Sequence, residues 1–291
     1  LIISFIIGPW IIHILQKKQI GEEIHQRGPE SHMKKRGTPT MGGVIILTAV
    51  LLPTLLLAKL NNPLVQIIIF ATLWMGLIGF IDDYLKVVKK LSLGLIARYK
   101  LVGQIFLGCI VSYWIFQIPD YIDISTKTTV PFFKNVELDL GFLYPIMVIL
   151  VITGTSNAVN LTDGLDGLLA GLLAISFSVF SAITYITGRF DFSDYLNILY
   201  IPNAGELTIF TSAMAGACIG YLWFNSHPAE VFMGDTGSLS TGAALGTLAV
   251  LLKKELLLLI IGGVFVWEAV SVIIQIGYYK SVSYTHLTLP T

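Results

Sequence analysis

Long apolar runs, separated by short polar or glycine- and proline-containing breaks, make up most of the chain. A helix needs about 20 apolar residues to cross a hydrocarbon core about 30 Å thick. By that measure the sequence predicts nine transmembrane helices, near residues 1–15, 42–58, 64–81, 101–118, 142–160, 167–187, 207–224, 237–252 and 256–279. The expected fold class is therefore an all-α polytopic membrane protein. The first run opens at Leu1 without a methionine, so we expect an N-terminally clipped chain.

The break at residues 119–141 differs from the other connections. Its apolar and polar positions alternate around Val130, Phe132, Val136 and Leu138. Because such alternation is typical of strands, we expect a small hairpin there.

Composition agrees with a membrane protein. Of the 291 residues, 55% are hydrophobic and only 12% are charged, whereas soluble domains carry about 25% charged residues. A soluble globular protein is thereby excluded. The 18 basic and 18 acidic residues leave no net charge, so no basic field favours nucleic acid and no such partner is expected. Cys109 and Cys218 lie in apolar runs and are interpreted as packing residues.

Nine spans place the connecting segments alternately on two faces. The first face receives residues 16–41, 82–100, 157–166, 225–236 and the segment after 279, and the second receives 59–63, 119–141, 188–206 and 253–255. The first face carries 12 of the 18 Lys and Arg residues. Because cytoplasmic loops carry an excess of Lys and Arg, the first face is predicted to be cytoplasmic.

The unusual polar residues gather at span ends on this first face: Asp82, Asp83, Asn157, Asn160, Asp163, Asp166, Asn225, His227 and Asp235. A transporter would place ionisable groups near the bilayer midplane. The one acid deep in a span is Glu268, which is either a buried hydrogen-bonded residue or a proton relay. The distribution favours chemistry at one membrane surface over transport.

Asp82 and Asp83 end the third predicted span. Adjacent residues on a helix point about 100° apart, so both cannot face one atom squarely. One of them can meet a substrate or a metal while the other orients Lys86, three or four residues on. The alternative is a solvated helix end with a local ion pair.

A second segment runs from Asn157 to Gly167. If it is helical, Asn157, Asn160, Asp163 and Asp166 form one polar stripe, which is costly in lipid unless it faces protein, water or a ligand. This pattern favours a functional stripe over helix capping.

A third segment contains Asp235, a hard oxygen ligand suited to magnesium. Thr236, Ser238 and the free N–H groups that open the next span favour a phosphate. His227 alone is more typical of a residue that satisfies a loop carbonyl.

The basic loop from His32 to Gly43 either neutralises phosphates or sets topology, and Arg98 and Lys100 are open to the same two interpretations. Taken together, hard oxygen ligands, several cations and a site at the membrane surface fit transfer between phosphates, one of them held by a lipid. A lipid phosphate is largely ionised at pH 7, so it needs little help from a general base.

Four segments carry a resemblance to a known family: Gly37-Thr-Pro-Thr-Met-Gly-Gly43, Asp82-Asp83-Tyr84, Asn157 to Gly167, and Pro228-Ala-Glu-Val-Phe-Met-Gly-Asp-Thr-Gly-Ser238. The sequence resembles the phospho-N-acetylmuramoyl-pentapeptide transferases, within the polyprenyl-phosphate sugar-1-phosphate transferase superfamily. The resemblance implies magnesium-dependent transfer of phospho-MurNAc-pentapeptide from its UDP carrier to undecaprenyl phosphate, giving lipid I and UMP. It places the protein in the bacterial inner membrane, with a site facing the cytoplasm, and implies a homodimer.

The same resemblance assigns residues. It implies catalytic roles for Asp82, Asp83 and Asp235, with Asp235 binding Mg²⁺ and the other two serving the lipid phosphate or the metal. It implies that Lys35, Thr40, Lys86, Lys100, Asn157, Asn160 and Asp163 hold or neutralise the nucleotide-sugar. Asp166, Asn225 and Phe232 would contact the uridine, Phe232 by stacking. The family divides between one-step attack and a covalent aspartyl intermediate.

One departure from the family bears on the domain organisation. The family has ten membrane helices, with a basic loop of consecutive histidines before the tenth, whereas here Lys280 is followed by 11 residues that include the single His286. We interpret 1–280 as one integral-membrane transferase domain and 281–291 as a non-native tail. The alternatives are a GlcNAc-1-phosphate transferase acting on the same lipid, a truncated inactive relative, and a lipid transporter or scaffold.

Overall fold

The computed structural model describes residues 1–17, 38–91, 94–134 and 136–282, and most of this chain is helical. The helices are α1 (Ile2–Lys17), α2 (Gly43–Leu57), α3 (Pro63–Val87), α4 (Ala97–Phe116), α5 (Tyr144–Thr162), α6 (Leu168–Thr187), α7 (Phe190–Leu196), α8 (Leu207–Asn225), α9 (Gly234–Leu251), α10 (Glu255–Ile261) and α11 (Gly263–Val282). Lys35 and residues 283–291, which include His286, lie outside the described residues.

Every predicted apolar run coincides with a helix in the structure. Five helical stretches are long and apolar enough to cross a membrane: Pro63–Val87, Ala97–Phe116, Gly141–Thr162, Leu168–Thr187 and Ala204–Asn225. The pair α10 and α11, bent by 84°, makes a sixth, and α1 and α2 are shorter apolar helices. The all-α, multi-pass membrane architecture is confirmed, and the count of nine spans stays a prediction.

Three boundaries differ from the sequence prediction. Helix α3 continues past residue 81 to Val87, and one face of its last two turns, with Asp82 and Asp83, is buried. The ninth run is broken at Gly262, where α10 ends. Helix α5 ends at Thr162, so Asp163 caps it and Asp166 lies in the following turn, near Gly167 with its left-handed φ of 76°. The predicted polar stripe is therefore helical only over Asn157 and Asn160.

The predicted hairpin at 119–141 is confirmed. Strands β1 (Lys127–Thr129) and β2 (Glu137–Asp139) pair antiparallel, with Thr128 opposite Leu138. Two buried side chains just after α9, Lys253 and Glu255, hold the hairpin segment and Tyr144 by hydrogen bonds. The Lys253 ammonium donates to the Ser125 carbonyl at 2.9 Å and to the Tyr144 hydroxyl at 2.8 Å. Glu255 accepts from the Tyr144 and Thr128 hydroxyls, both at 2.6 Å.

Hydrogen bonds join several connections within each of the two predicted groups. In the second group, Asn203 bonds to two other connections. Its carbonyl accepts from the Asn62 amide at 2.9 Å, and its own amide donates to Asp120 at 3.3 Å. In the first group, Gly42 N donates to the Phe232 carbonyl and Phe232 N donates to the Pro39 carbonyl, both at 2.8 Å. The candidate chemistry lies at the end of the bundle formed by this first group.

Helix α9 runs between the two ends and packs mainly against α3 and α5. Every residue from Thr236 to Leu251 is buried, and most are Gly, Ala, Ser or Thr. These small residues allow close backbone approach: a Cβ on Gly43 of α2 would lie 2.2 Å from Gly237 N, and one on Gly79 of α3 would lie 2.1 Å from the Asp235 carbonyl oxygen. Tight contacts of this kind fix the start of α9 against α2 and α3.

Candidate active site

Three carboxylates meet where α3 ends and α9 begins. Asp82 and Asp83 lie in the last two turns of α3, and Asp235 lies in the first turn of α9. One carboxylate oxygen from each lies within 4.8 Å of the others. Two cations border the cluster: Lys86, one turn after Asp82, and Lys100, in the first turn of α4.

Asp83 caps the first turn of α9. Its Oδ1 accepts from Asp235 N at 3.1 Å, and its Oδ2 accepts from Thr236 N at 2.9 Å and from the Thr236 hydroxyl at 2.6 Å. The first N–H groups of a helix have no partner within the helix, and the helix dipole favours a negative charge there. Two of the N–H groups, and the Thr236 hydroxyl, that the sequence offered to a phosphate are therefore engaged by a side chain of the protein itself.

Asp82 and Asp235 share the two lysines. Lys86 Nζ lies 2.6 Å from Asp82 Oδ2 and 3.4 Å from Asp235 Oδ2. Lys100 Nζ lies 3.0 Å from Asp82 Oδ1 and contacts Asp235 Oδ2 directly. Asp82 Oδ1 also accepts from Leu95 N at 2.7 Å, so the segment that precedes α4 closes over this carboxylate. Three carboxylates against two ammonium groups leave one formal negative charge on the cluster.

This donor set fits a divalent cation of the magnesium class. Mg²⁺ prefers hard oxygen ligands and is usually held by one or two carboxylates together with phosphate oxygens and water. The Asp235 and Asp82 oxygens are in contact mainly with the ammonium groups of Lys86 and Lys100, whereas both Asp83 oxygens are held by α9. The residues therefore fit a cation between Asp82 and Asp235, with Asp83 fixing the backbone that carries Asp235.

Gly234 precedes Asp235 and adopts a left-handed φ of 72°. A Cβ at this position would lie 2.7 Å from Asp83 Oδ2 and 2.8 Å from the Thr40 hydroxyl oxygen. Glycine is therefore required here both for its backbone angle and for space. The same crowding places Thr40, which is buried, beside the Asp83 carboxylate.

The two predicted asparagines of α5 are half-buried and hydrogen-bond to neighbouring helices. The Asn157 amide donates to Gln104 Oε1 at 2.8 Å, and the Gln104 amide donates to the Ser156 hydroxyl at 3.2 Å. Asn160 Oδ1 accepts from the Ser238 hydroxyl at 2.6 Å. Sequence reasoning missed Gln104, although its position four residues after Lys100 in an apolar run was a usable signal.

The residues expected at the uridine form a separate hydrogen-bonded group. Asn225 is buried, its amide donates to the Val231 carbonyl at 2.9 Å, and its Oδ1 accepts from Gly167 N at 3.1 Å. Asp166 Oδ2 lies 3.0 Å from His227 Nδ1 and 3.4 Å from Ala229 N. Asn225 and Asp166 thus shape this loop, while Phe232 is half-buried beside it and Asp163 caps α5.

Comparisons with known proteins agree with one another. The family model for glycosyl transferase family 4 matches residues 65–253, and phospho-N-acetylmuramoyl-pentapeptide-transferase signature 1 matches residues 35–47. A phospho-N-acetylmuramoyl-pentapeptide-transferase of Citrifermentans bemidjiense is 52% identical over 280 residues, covering 96% of this chain and 77% of the relative. The proteins of the same name from Chloroherpeton thalassium and Desulfotalea psychrophila are 52% and 48% identical, over 96% and 94% of this chain and 76% of each relative.

Proposed function

The chain belongs to the phospho-N-acetylmuramoyl-pentapeptide-transferase family, and we propose that it transfers phospho-MurNAc-pentapeptide from UDP-MurNAc-pentapeptide to undecaprenyl phosphate. The products are lipid I and UMP, and the reaction is a step of peptidoglycan synthesis. The observation that carries this proposal is the cluster of three carboxylates and two lysines at the junction of α3, α4 and α9. A phosphoryl transfer between two anionic substrates requires this combination of hard oxygen ligands and cations.

In the proposed reaction an oxygen of the lipid phosphate attacks the sugar-bearing phosphorus of the donor. The bond from that phosphorus to the oxygen of UMP breaks, and UMP leaves. Lys86 and Lys100 neutralise the diphosphate, and Asn157 and Asn160 hold the nucleotide-sugar. A Mg²⁺ ion held by Asp235 and Asp82 would supply further positive charge to the phosphates.

In this scheme Asp83 positions the first turn of α9, which carries Asp235. Both of its oxygens accept hydrogen bonds from α9, which supports direct attack by the lipid phosphate over a covalent intermediate on Asp83. Since the attacking phosphate is largely ionised at pH 7, charge neutralisation and alignment account for most of the catalysis.

We further propose nine membrane spans in a bacterial inner membrane, with the site on the cytoplasmic face. The 12 Lys and Arg residues on the connections of that face support this orientation. The substrates fit it as well, since the proposed nucleotide-linked donor is soluble and the acceptor is a membrane lipid. The homodimer implied by the family resemblance is part of the same proposal.

The decisive experiment measures UMP release from the purified protein with both substrates. Asp235→Asn should abolish release with little change in protein yield, because it removes a cation ligand while keeping the shape of the side chain. Asp123→Asn, the same substitution at an exposed position near the hairpin, should leave turnover unchanged. Retained turnover in Asp235→Asn contradicts the assignment of Asp235 as a metal ligand. Preference for UDP-GlcNAc over UDP-MurNAc-pentapeptide contradicts the assignment of the donor substrate.

A further inference from the structure

The Lys100 ammonium lies between the two carboxylates that fit the cation. It is 3.0 Å from Asp82 Oδ1 and in direct contact with Asp235 Oδ2. Any divalent cation coordinated by these oxygens would meet a positive charge already in place. Two like charges at such distances repel strongly in a partly buried site, so the ammonium and the cation are alternatives there.

Lys100 and Lys86 are not equivalent in this respect. Lys86 belongs to the same helix as Asp82 and lies one turn away, with its shorter contact to Asp82 and the longer one, 3.4 Å, to Asp235. Lys100 comes from another helix, α4, and its side chain is 17% exposed, against 37% for Lys86. The flexible four-carbon stem of a lysine can move the ammonium without moving the helix. Because Lys100 belongs to a different helix from Asp82, its departure leaves the i,i+4 pair of Lys86 and Asp82 in place.

We propose that Lys100 is the internal counter-ion of the carboxylate cluster, holding the place that the divalent cation takes and moving out of it when the cation binds. This inference rests on the proposed function, in which the cation and the phosphates of the nucleotide-sugar meet at this site. The displaced ammonium then lies at the edge of the cluster, where the anionic donor arrives. Lys100 thus acts twice: first it holds the carboxylates together, and then it neutralises the substrate.

The inference is tested by cation binding to the detergent-solubilised chain without substrates, with Mn²⁺ as the probe and free Mn²⁺ measured by electron paramagnetic resonance. Lys100→Gln removes the competitor and should tighten Mn²⁺ binding by about 5–150-fold, the range of a typical coupling between two bound groups. Lys90→Gln, which removes the same charge from an exposed position after α3, should leave Mn²⁺ affinity unchanged.

The outcomes separate this inference from the function on which it rests. If Asp235→Asn abolishes Mn²⁺ binding but Lys100→Gln leaves it unchanged or weaker, the inference is overturned and the metal site stands. If neither the unsubstituted chain nor any variant binds Mn²⁺, the inference is overturned, and the transfer reaction is judged separately by UMP release.

A second measurement uses the unsubstituted chain, in case Lys100→Gln does not fold. Amine labelling followed by mass spectrometry should show Lys100 reacting faster when Mg²⁺ is added, because its ammonium leaves the carboxylates. Lys59, whose side chain is 81% exposed on another connection, serves as the internal reference. Constant labelling of Lys100 at saturating Mg²⁺ overturns the inference.

Discussion

Removing the hydroxyl of Thr236 tests whether its hydrogen bond to Asp83 stabilises the carboxylate cluster. It donates to Asp83 Oδ2 at 2.6 Å, and both side chains are buried. Thr236→Val keeps the shape of the side chain and removes only this donor. The backbone N–H groups of Asp235 and Thr236 remain, so Asp83 keeps two of the three donors seen in the structure.

The magnitude follows from the charge of the acceptor. A hydrogen bond to a charged group contributes about 1.5–3 kcal/mol, and a buried acceptor that loses its donor is left with the desolvation cost. We therefore expect Thr236→Val to lower the free energy of unfolding by about 1.5–3 kcal/mol. At about 2–4 °C per kcal/mol, the melting temperature should fall by about 3–12 °C. Turnover should fall as well, since Asp83 positions the turn that carries Asp235.

Thermal unfolding in detergent and UMP release are the two assays, and α9 offers a matched control. Thr241 is also buried, and its hydroxyl donates to the Gly237 and Ser238 carbonyls of its own helix. Thr241→Val should cost less stability and leave UMP release near that of the unsubstituted chain. Thr236→Ser, which keeps a hydroxyl, should recover most of the loss. Equal effects of the two valine substitutions on UMP release would refute the positioning role of Thr236.

Three further results are expected. Gly43→Ala should prevent folding, because its Cβ would lie 2.2 Å from α9 backbone, whereas Gly154→Ala, which meets no described atom within 4 Å, should give normal yield of folded protein. Gln104→Leu should raise KM for the nucleotide-sugar by about tenfold, because Asn157 loses one hydrogen bond that holds its amide. An unchanged KM would argue against that contact. Burial lowers the pKa of Lys253 from 10.5 to about 7. Between pH 7 and pH 10.5 the unfolded chain therefore binds more protons than the folded chain, so the melting temperature should rise with pH. The melting temperature of Lys253→Met should not show this rise.

Apolar length was enough to predict most of the fold. Each of the nine runs is helical, because long apolar runs avoid water. The hairpin lies within the predicted segment, but Val130, Phe132 and Val136 lie outside its strands and β2 is exposed, so alternation did not mark the strands themselves. The bend between α10 and α11 was missed, although the pair Gly262 and Gly263 marks it. The short helix α7 was taken as part of a loop. The extension of α3 to Val87 lies beyond the apolar run, which measures only the membrane-spanning part of a helix, although the spacing of Asp82 and Lys86 was already typical of a helical turn.

The sequence indicated the members of the carboxylate cluster, and their roles stay predictions. Asp82, Asp83 and Asp235 were placed on one face, and the structure brings them together. The capping role of Asp83 depends on where a helix 150 residues later begins, so no local pattern could indicate it. Both ends of the Asn225 amide hold loop backbone, which no sequence pattern could indicate, and its contact with the uridine stays a prediction.

The burial of α9 has a consequence for the biogenesis of the protein. Rich in glycine and hydroxyl side chains and enclosed by α3 and α5, this helix gains little from contact with lipid and much from contact with its neighbours. Both neighbours are synthesised before it, so they form the groove into which it inserts. The last of the three carboxylates therefore joins the cluster only when that groove exists, and a partly inserted chain lacks the complete carboxylate cluster.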